Sequence, residues 1–142
     1  MHEFLKKAVG PLVGYTQIPW TRVVMNRETL AWVRQLDTGR MDALEISGDY
    51  WKNKVPLRTY RTAWYPEYDV CDKPLPEQFD LVFAEQVFEH LLHPARAARN
   101  AFHMLRAGGY FLVTAPFLFR IHACPTDCTR WTPQGMVALL EE

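Results

Sequence analysis

Residues 68–116 constrain the fold more than any other part of the chain. They read YDVCDKPLPEQFDLVFAEQVFEHLLHPARAARNAFHMLRAGGYFLVTAP. A short apolar run at 81–84 is followed by a helix-like stretch, and Gly108 and Gly109 then precede a second apolar run at 110–115. Strand, helix and strand at this spacing predict a βαβ unit. Because apolar runs without strict alternation are typical of strands buried on both faces, the pattern predicts a parallel sheet covered by helices.

The size and charge of the chain limit what it can be. Its 142 residues suffice for one domain, which we predict to consist of an N-terminal arm at 1–25 and an α/β core at 26–142. The 16 Lys and Arg residues equal the 16 Asp and Glu residues, which argues against a nucleic-acid-binding protein. Basic and aromatic residues do alternate within 50–67, as they do in proteins that bind single-stranded nucleic acid by stacking. The neutral net charge favours a surface segment whose rings pack inward instead.

The sequence also carries signals of compartment. No apolar run approaches the roughly 20 residues of a membrane span. Gly10 and Pro11 interrupt the apolar centre that a signal peptide would need. Three cysteines cannot all pair, and they suit a reducing environment. We therefore expect a cytoplasmic protein without membrane contact.

Periodicity and capping residues predict the remaining elements. Asn26 fits the N-cap of a helix that stops near Gly39, and His93 with Pro94 fits the start of a helix with Gly108 at its C′ position. The other predicted elements are one or two helical turns at 2–9, a loop at 11–25, a buried strand at 43–46, a second strand at 58–64, a short strand at 68–72, and a helix that begins at Thr132-Pro133 and buries Val137, Leu139 and Leu140.

The first predicted strand ends in residues that suit a ligand site. Ser47 and Gly48 form a small-residue turn at the carboxyl end of that strand, where a ligand can approach the backbone. Glu45 would be buried in the strand, and a buried charge needs a partner. Glu45 therefore either serves a ligand site, caps a neighbouring helix or pairs with an arginine.

The loop after residue 116 holds several groups that bear chemistry. His122, Asp127 and Arg130 suit recognition of a polar or anionic small molecule, and a salt-bridged lid is the alternative. His122, Cys124 and Cys128 have spacing that suggests zinc, but a structural zinc site needs four ligands and no second pair follows. We predict no metal here.

Four segments together resemble a known family. ALEISG, YDVCD, LPEQFDLVFAEQVFEHLLHP and MLRAGGYFLVTAPF, in that order, resemble the class I S-adenosylmethionine-dependent methyltransferases. The best match is the small-molecule, type 11-like group, and the similarity spans about residues 44–131. The resemblance implies a Rossmann-like three-layer α/β/α sandwich with a mostly parallel sheet. It also implies S-adenosylmethionine as cofactor, bound across the carboxyl ends of the strands, and a small-molecule methyl acceptor.

The resemblance assigns roles by position. Glu45, Ser47 and Gly48 match the segment that meets the methionine part of the cofactor, Asp72 matches the acid near the adenine amino group, and Glu85 and Gln86 match positions that line cofactor and acceptor. A nucleophilic acceptor also needs a base, for which imidazole is suited. His122 and His90 are the candidates, although His90 also fits a helix cap or a bond to backbone.

The sequence departs from the family pattern at three places. Of the usual Gly-x-Gly-x-Gly-like turn only Gly48 remains, and the bulky Tyr50 and Trp51 follow it. A related group binds metal through Glu-x-x-Glu-His, whereas this chain has Gln86 at the first position, which disfavours a hard cation. The family's C-terminal antiparallel hairpin is missing, so the chain looks truncated. We expect a second copy or a partner to cover the open sheet edge.

Three functions remain in competition at this point. The first is an active small-molecule methyltransferase, which the four segments favour. The second is a non-catalytic or truncated methyltransferase-like binding module, which the eroded turn and missing hairpin favour. The third is a nicotinamide-dependent dehydrogenase, which would need a Gly-x-Gly-x-x-Gly turn that the sequence lacks.

Overall fold

The computed structural model describes residues 19–141 and shows an α/β protein built on a four-stranded sheet. Its elements are α1 (Trp20–Val33), β1 (Asp42–Ile46), β2 (Thr59–Ala63), β3 (Phe79–Glu85), α2 (Pro94–His103), β4 (Leu105–Thr114) and α3 (Pro133–Glu141). Short 3-10 helices occupy Thr38–Arg40, Tyr50–Asn53 and Phe88–His90. The predicted turn at 2–9 and the first part of the predicted loop at 11–25 lie outside the described residues.

All four strands of the sheet run parallel, in the order β2-β1-β3-β4. The chain moves from β1 outward to β2, then returns to β3 on the other side and continues to β4. The order therefore reverses between β1 and β3, where Leu44 pairs with Val82. This confirms the predicted Rossmann-like fold with its parallel sheet. A reversal of this kind leaves a crevice at the carboxyl ends of the strands, which is where such sheets bind ligands.

The apolar core joins the sheet to α2. Val82 and Leu44 of the central strands are fully buried, as are Ala97 and Ala101 of the helix. The small side chains of the two alanines let α2 approach the strands closely. Pro94 begins α2 and His93 is its N-cap, which confirms the predicted start of this helix.

The chain divides into two compact units, one that ends at Leu36 and one that begins at Asp37. The first unit contains α1. The predicted start of this helix at Asn26 is wrong. The helix begins at Trp20, behind Pro19 with an extended ψ of 140°. The apolar residues of α1 lie around the whole helix rather than on one stripe, so no period marked residues 20–25 as helical. That residues 1–142 form one domain stays a prediction.

Two predicted elements in the second unit are wrong. Residues 68–72 form a turn instead of a strand, because the carboxylate of Asp69 accepts a hydrogen bond from the N–H of Cys71 at 2.8 Å. Side chains of this type compete with strand formation. Helix α2 ends at His103, five residues before the predicted C′ position at Gly108. Gly108 has a φ of 78° and lies in an irregularity of β4, where the register with β3 shifts.

Helix α3 also differs from its prediction. It begins at Pro133 as expected, but none of its residues is fully buried. Val137 and Leu140 are exposed, and only Leu139 of the three predicted core residues packs partly against the core. Strand β4 lies at the edge of the described sheet. That a second copy or a partner covers this edge stays a prediction.

Charged residues join the amino ends of the strands. Asp42 of β1 accepts bonds from Arg58, before β2, at 2.5 Å, and from Arg106 of β4 at 2.9 Å. Arg106 also pairs with Asp80 of β3 at 2.6 Å. The bonds from Arg58 and Thr59 hold the pKa of Asp42 well below its usual range. This network lies at the end of the sheet away from the switch point crevice, so its role is structural.

No helix among residues 19–141 has the length and apolar character needed to cross a membrane.

Candidate functional site

A cavity of about 440 Å³ lies where the strands end at the reversal in strand order. Ser47 follows β1, Trp64 and Tyr65 follow β2, and Gln86 and Val87 follow β3, and all five line this cavity. Small-molecule sites in proteins usually measure about 300–1,000 Å³ and favour such crevices. The cavity is therefore the candidate binding site, and we call it the switch-point cavity.

Two of the residues that line the cavity have left-handed backbone. Ser47 has a φ of 52° and Gln86 a φ of 57°, each directly after a central strand. Non-glycine residues rarely adopt this conformation, and it clusters at functional sites. Hydrogen bonds to the neighbouring strand ends hold both turns: the N–H of Ser47 donates to the Ala63 carbonyl at 2.8 Å, and that of Gln86 to the Thr114 carbonyl at 2.9 Å. The chain thus turns sharply away at both sides of the crevice.

Glu45 supports the turn after β1 from inside the protein. Its fully buried carboxylate accepts hydrogen bonds from the N–H groups of Tyr50 and Trp51, both at 2.9 Å, and from the Tyr60 hydroxyl at 2.5 Å. It therefore caps the 3-10 helix Tyr50–Asn53, which was one of the alternatives open from the sequence. Burial, and then the bond to Glu45, raise the pKa of Tyr60.

Gly48 is the point at which the chain passes this carboxylate. A Cβ atom at Gly48 would lie 2.5 Å from Oε1 of Glu45. Since nothing but glycine leaves room for the carboxylate, Gly48 and Glu45 depend on one another. Neither residue lines the switch-point cavity, so their predicted contact with a cofactor stays a prediction.

The turn at 68–72 brings a different acid to the cavity from the one predicted. Asp69, Val70 and Cys71 line the switch-point cavity, whereas Asp72 is exposed and does not. Asp69 is the one carboxylate among the lining residues. The sequence analysis assigned no role to Asp69, and the turn that brings it to the cavity has no sequence signal beyond the Asp itself. The adenine role of Asp72 stays a prediction.

A second group of polar side chains lies beside the cavity. Glu89 and His90 belong to the 3-10 helix after β3, and His122 comes from the loop before α3. One possible ligand atom from each of the three lies within 4.8 Å of the others. His90 also lines the switch-point cavity. Burial raises the pKa of Glu89, whose side chain has no exposed surface. Glu85 is the last residue of β3 and does not belong to this 3-10 helix.

The loop that carries His122 is tied to the end of β3. The N–H of Cys128 donates to the Glu89 carbonyl at 2.7 Å, and the Thr126 hydroxyl donates to the His90 carbonyl at 2.6 Å. Within the loop, Asp127 pairs with Arg130, which holds the pKa of Asp127 well below its usual range. The side chain of Asp127 is only 3% exposed.

The predicted site residues therefore fall into three groups, of which the first lies outside the cavity lining: Glu45, Gly48, Asp72 and Glu85. Ser47, Gln86 and His90 meet at the switch-point cavity. His122, Asp127 and Arg130 form a cross-linked loop next to His90, and neither they nor Glu85 line the cavity. This arrangement has the form of the salt-bridged lid that was the alternative for the loop. The role of these three residues in acceptor binding stays a prediction.

Sequence reasoning missed the aromatic wall. Trp64 and Tyr65 follow β2 directly and line the cavity, although both remain about half exposed. The sequence does not show which aromatic residues of 50–67 are buried and which face a crevice. Only the folded structure shows that these two lie at the cavity. Trp51 does pack inward and stacks on Phe83 with ring centroids 4.5 Å apart.

The parallel sheet, the reversal between β1 and β3, and the crevice at that point define a Rossmann-like α/β protein with a small-molecule site. The family described as methyltransferase domain matches residues 38–113, more than half of the chain. The chain belongs to this family, and the resemblance to class I methyltransferases is thereby confirmed. A search of curated proteins finds no significant match.

Proposed function

We propose that this protein transfers a methyl group from S-adenosylmethionine to a small-molecule acceptor. The observation that carries the proposal is the position of the switch-point cavity at the reversal between β1 and β3, within a methyltransferase domain. Open α/β sheets bind their ligands at such a reversal.

The lining of the cavity suits this cofactor. Trp64 and Tyr65 offer aromatic faces, which attract both a flat base and a sulfonium cation. Asp69 offers a carboxylate, which accepts hydrogen bonds from hydroxyl or amino groups. The chain turns sharply away after Ser47 and Gln86, both of which have left-handed backbone. Together these residues provide apolar walls with few polar groups, as small-molecule sites usually do.

The chemistry divides between cofactor and chain. S-adenosylmethionine supplies an activated methyl group on a sulfonium sulfur, so the chain mainly has to hold and align the reactants. His90 lines the cavity and is our candidate base for an acceptor proton. Its Nδ1 lies 2.5 Å from the Thr126 carbonyl, which can only accept. Nδ1 therefore carries the proton, and Nε2 has the lone pair that a base needs. We further propose that the His122, Asp127 and Arg130 loop contacts the acceptor.

Calorimetric titration tests the proposal directly. We expect S-adenosylmethionine and S-adenosylhomocysteine to bind with one site per chain and a nicotinamide dinucleotide not to bind. Binding of the dinucleotide alone would identify a dehydrogenase. Binding of none of the three would favour the non-catalytic module.

Two acids provide a matched pair of variants. Asp69→Asn should weaken binding of S-adenosylmethionine by about 10-fold, because a charge-assisted hydrogen bond contributes roughly 1.5–3 kcal/mol and the amide keeps part of it. Asp72→Asn should change affinity less, because Asp72 is exposed and outside the cavity lining. If Asp72→Asn has the larger effect, the cofactor reaches the position implied by the family resemblance instead.

A further inference from the structure

We propose that Glu89, His90 and His122 bind a divalent transition-metal ion of the zinc type. One ligand atom from each residue lies within 4.8 Å of the other two, close enough to surround a single ion after small side-chain shifts. The three residues come from two segments, the 3-10 helix Phe88–His90 and the loop before α3. Backbone hydrogen bonds between these segments, such as Cys128 N–H to the Glu89 carbonyl at 2.7 Å, fix their separation.

The carboxylate of Glu89 lacks any other partner that would explain its burial. Its side chain has no exposed surface, and within residues 19–141 neither carboxylate oxygen has a hydrogen-bond partner. Nε2 of His90 lies 3.7 Å from Oε1 of Glu89, which is too far for a hydrogen bond. Burial of an ionised carboxylate without partners is strongly unfavourable. A divalent cation between Glu89 and the two imidazoles would remove this cost.

Both imidazoles are held with a ring nitrogen left for an ion. Nδ1 of His90 lies against the Thr126 carbonyl, and Nδ1 of His122 lies 3.2 Å from the Arg120 carbonyl. Carbonyl oxygens only accept, so in each ring Nδ1 carries the hydrogen and Nε2 keeps its lone pair. His122 Nδ1 also lies 3.4 Å from the carboxylate of Asp127. Metal-binding histidines usually show this arrangement, with the second nitrogen donating to a carbonyl or carboxylate.

The donor set indicates the kind of ion. Two imidazoles and one carboxylate suit zinc and its first-row neighbours, whereas magnesium and calcium prefer oxygen ligands alone. Three protein ligands leave a coordination position for water or for an oxygen of a bound molecule. Since His90 lines the switch-point cavity, the ion would lie at its wall. An ion on Nε2 takes the lone pair of that nitrogen, so His90 could act as the base proposed above only in the metal-free protein.

This inference differs from the prediction of no metal for a physical reason. The sequence showed Gln86, Glu89 and His90 in one segment and His122 with two cysteines in another, and neither set was complete. Folding brings His122 to Glu89 and His90 and leaves Gln86 out of the cluster. The site therefore uses a third ligand that lies 32 residues along the chain from His90.

Titration with cobalt(II) in the absence of any cofactor tests the inference. We expect one ion per chain, visible d–d absorption of a four- or five-coordinate site, and displacement by zinc. Cys124 and Cys128 are exposed near the site, and thiolate ligation would add an intense near-ultraviolet band that we expect to be absent. Because the readout is metal binding alone, its outcome is independent of whether the protein transfers methyl groups.

Variants separate the site from general metal binding. Glu89→Gln and His122→Asn should weaken cobalt binding more than about 100-fold, and Asp127→Asn about 10–100-fold, since outer partners have effects of that size. His103→Asn is the matched control, because His103 is exposed at the end of α2 and should leave affinity unchanged. His122 is 32% exposed, so His122→Asn decides the question even if Glu89→Gln fails to fold. Equal binding by His122→Asn and His103→Asn, or loss of binding on Cys128→Ser, would overturn the inference.

Discussion

The dependence of Gly48 on Glu45 yields a prediction with a built-in control. Gly48→Ala places a Cβ atom 2.5 Å from Oε1, 3.2 Å from Cδ and 3.4 Å from Cγ of Glu45. The φ of Gly48 lies outside the left-handed region, so alanine adds no backbone strain there. The cost of the substitution therefore comes from displacing the carboxylate.

The size of that cost follows from what the carboxylate holds. It accepts two backbone N–H groups and the Tyr60 hydroxyl, and it is fully buried. Hydrogen bonds to a charged group contribute roughly 1.5–3 kcal/mol each, and a small displacement weakens all three without removing them. We expect Gly48→Ala to lower the free energy of unfolding by about 3 kcal/mol, a large part of the roughly 5–15 kcal/mol of a typical domain.

Glu45→Ala completes a double-mutant cycle. By itself it should cost about 4 kcal/mol, because it leaves buried donors without an acceptor. Once the carboxylate is gone, the added methyl group has space, so Gly48→Ala should then change stability by no more than about 0.5 kcal/mol in either direction. The coupling energy between the two sites should therefore be about 3 kcal/mol.

Equilibrium unfolding in urea, followed by tryptophan fluorescence and by far-ultraviolet circular dichroism, measures all four corners of the cycle. Additive effects of the two substitutions would refute the reasoning, because they would mean that the Gly48 backbone does not pack against this carboxylate.

Two further predictions concern stability. Asp42 has a folded-state pKa below its unfolded value, so its ion pairs stabilise the protein above about pH 4, and this contribution is lost as the pH falls toward the folded pKa. Asp42→Asn should therefore reduce the loss of stability at acid pH, as measured by urea unfolding at a series of pH values. An unchanged dependence on pH would contradict the role of Arg58. Gly108→Ala should lower the free energy of unfolding by about 1 kcal/mol, because Gly108 has a φ of 78°. Gly39→Ala is the control and should leave thermal unfolding nearly unchanged, because Gly39 has no left-handed φ and no atom lies within 4 Å of the added Cβ. Equal effects of the two substitutions would count against the strained turn in β4.

The parallel sheet was predictable because its signals are local. The short runs at 43–46 and 81–84 both indicate buried strands. The second run is followed by a helix-like stretch and two glycines, which is the pattern of a βαβ unit. The start of α2 was equally clear, because Pro94 suits the first helical position and His93 precedes it. The elements that were predicted wrongly depend on contacts that local sequence does not show. Residues 68–72 have the composition of a strand end, yet the side chain of Asp69 satisfies the backbone within a turn.

The candidate site was less predictable than the fold, because it assembles from ends of elements. Ser47 and Gln86 were recognised through the family pattern, and both line the switch-point cavity. Trp64, Tyr65 and Asp69 were not assigned to it, since which side of a turn faces a crevice depends on the neighbouring strand. The meeting of His122 with Glu89 and His90 depends on how a long loop folds back on β3, which no spacing in the sequence encodes.

The erosion of the glycine-rich turn has a physical explanation in the Glu45 network. The family pattern places several small residues after the first strand, where this chain has Tyr50 and Trp51. Here the two bulky residues are structural: their N–H groups bind Glu45, and the Trp51 ring stacks on Phe83 of β3. A single glycine is retained where the carboxylate leaves no room for a side chain. In this chain one buried acid therefore supports the turn in place of several glycines, and neither that acid nor the two bulky residues line the switch-point cavity.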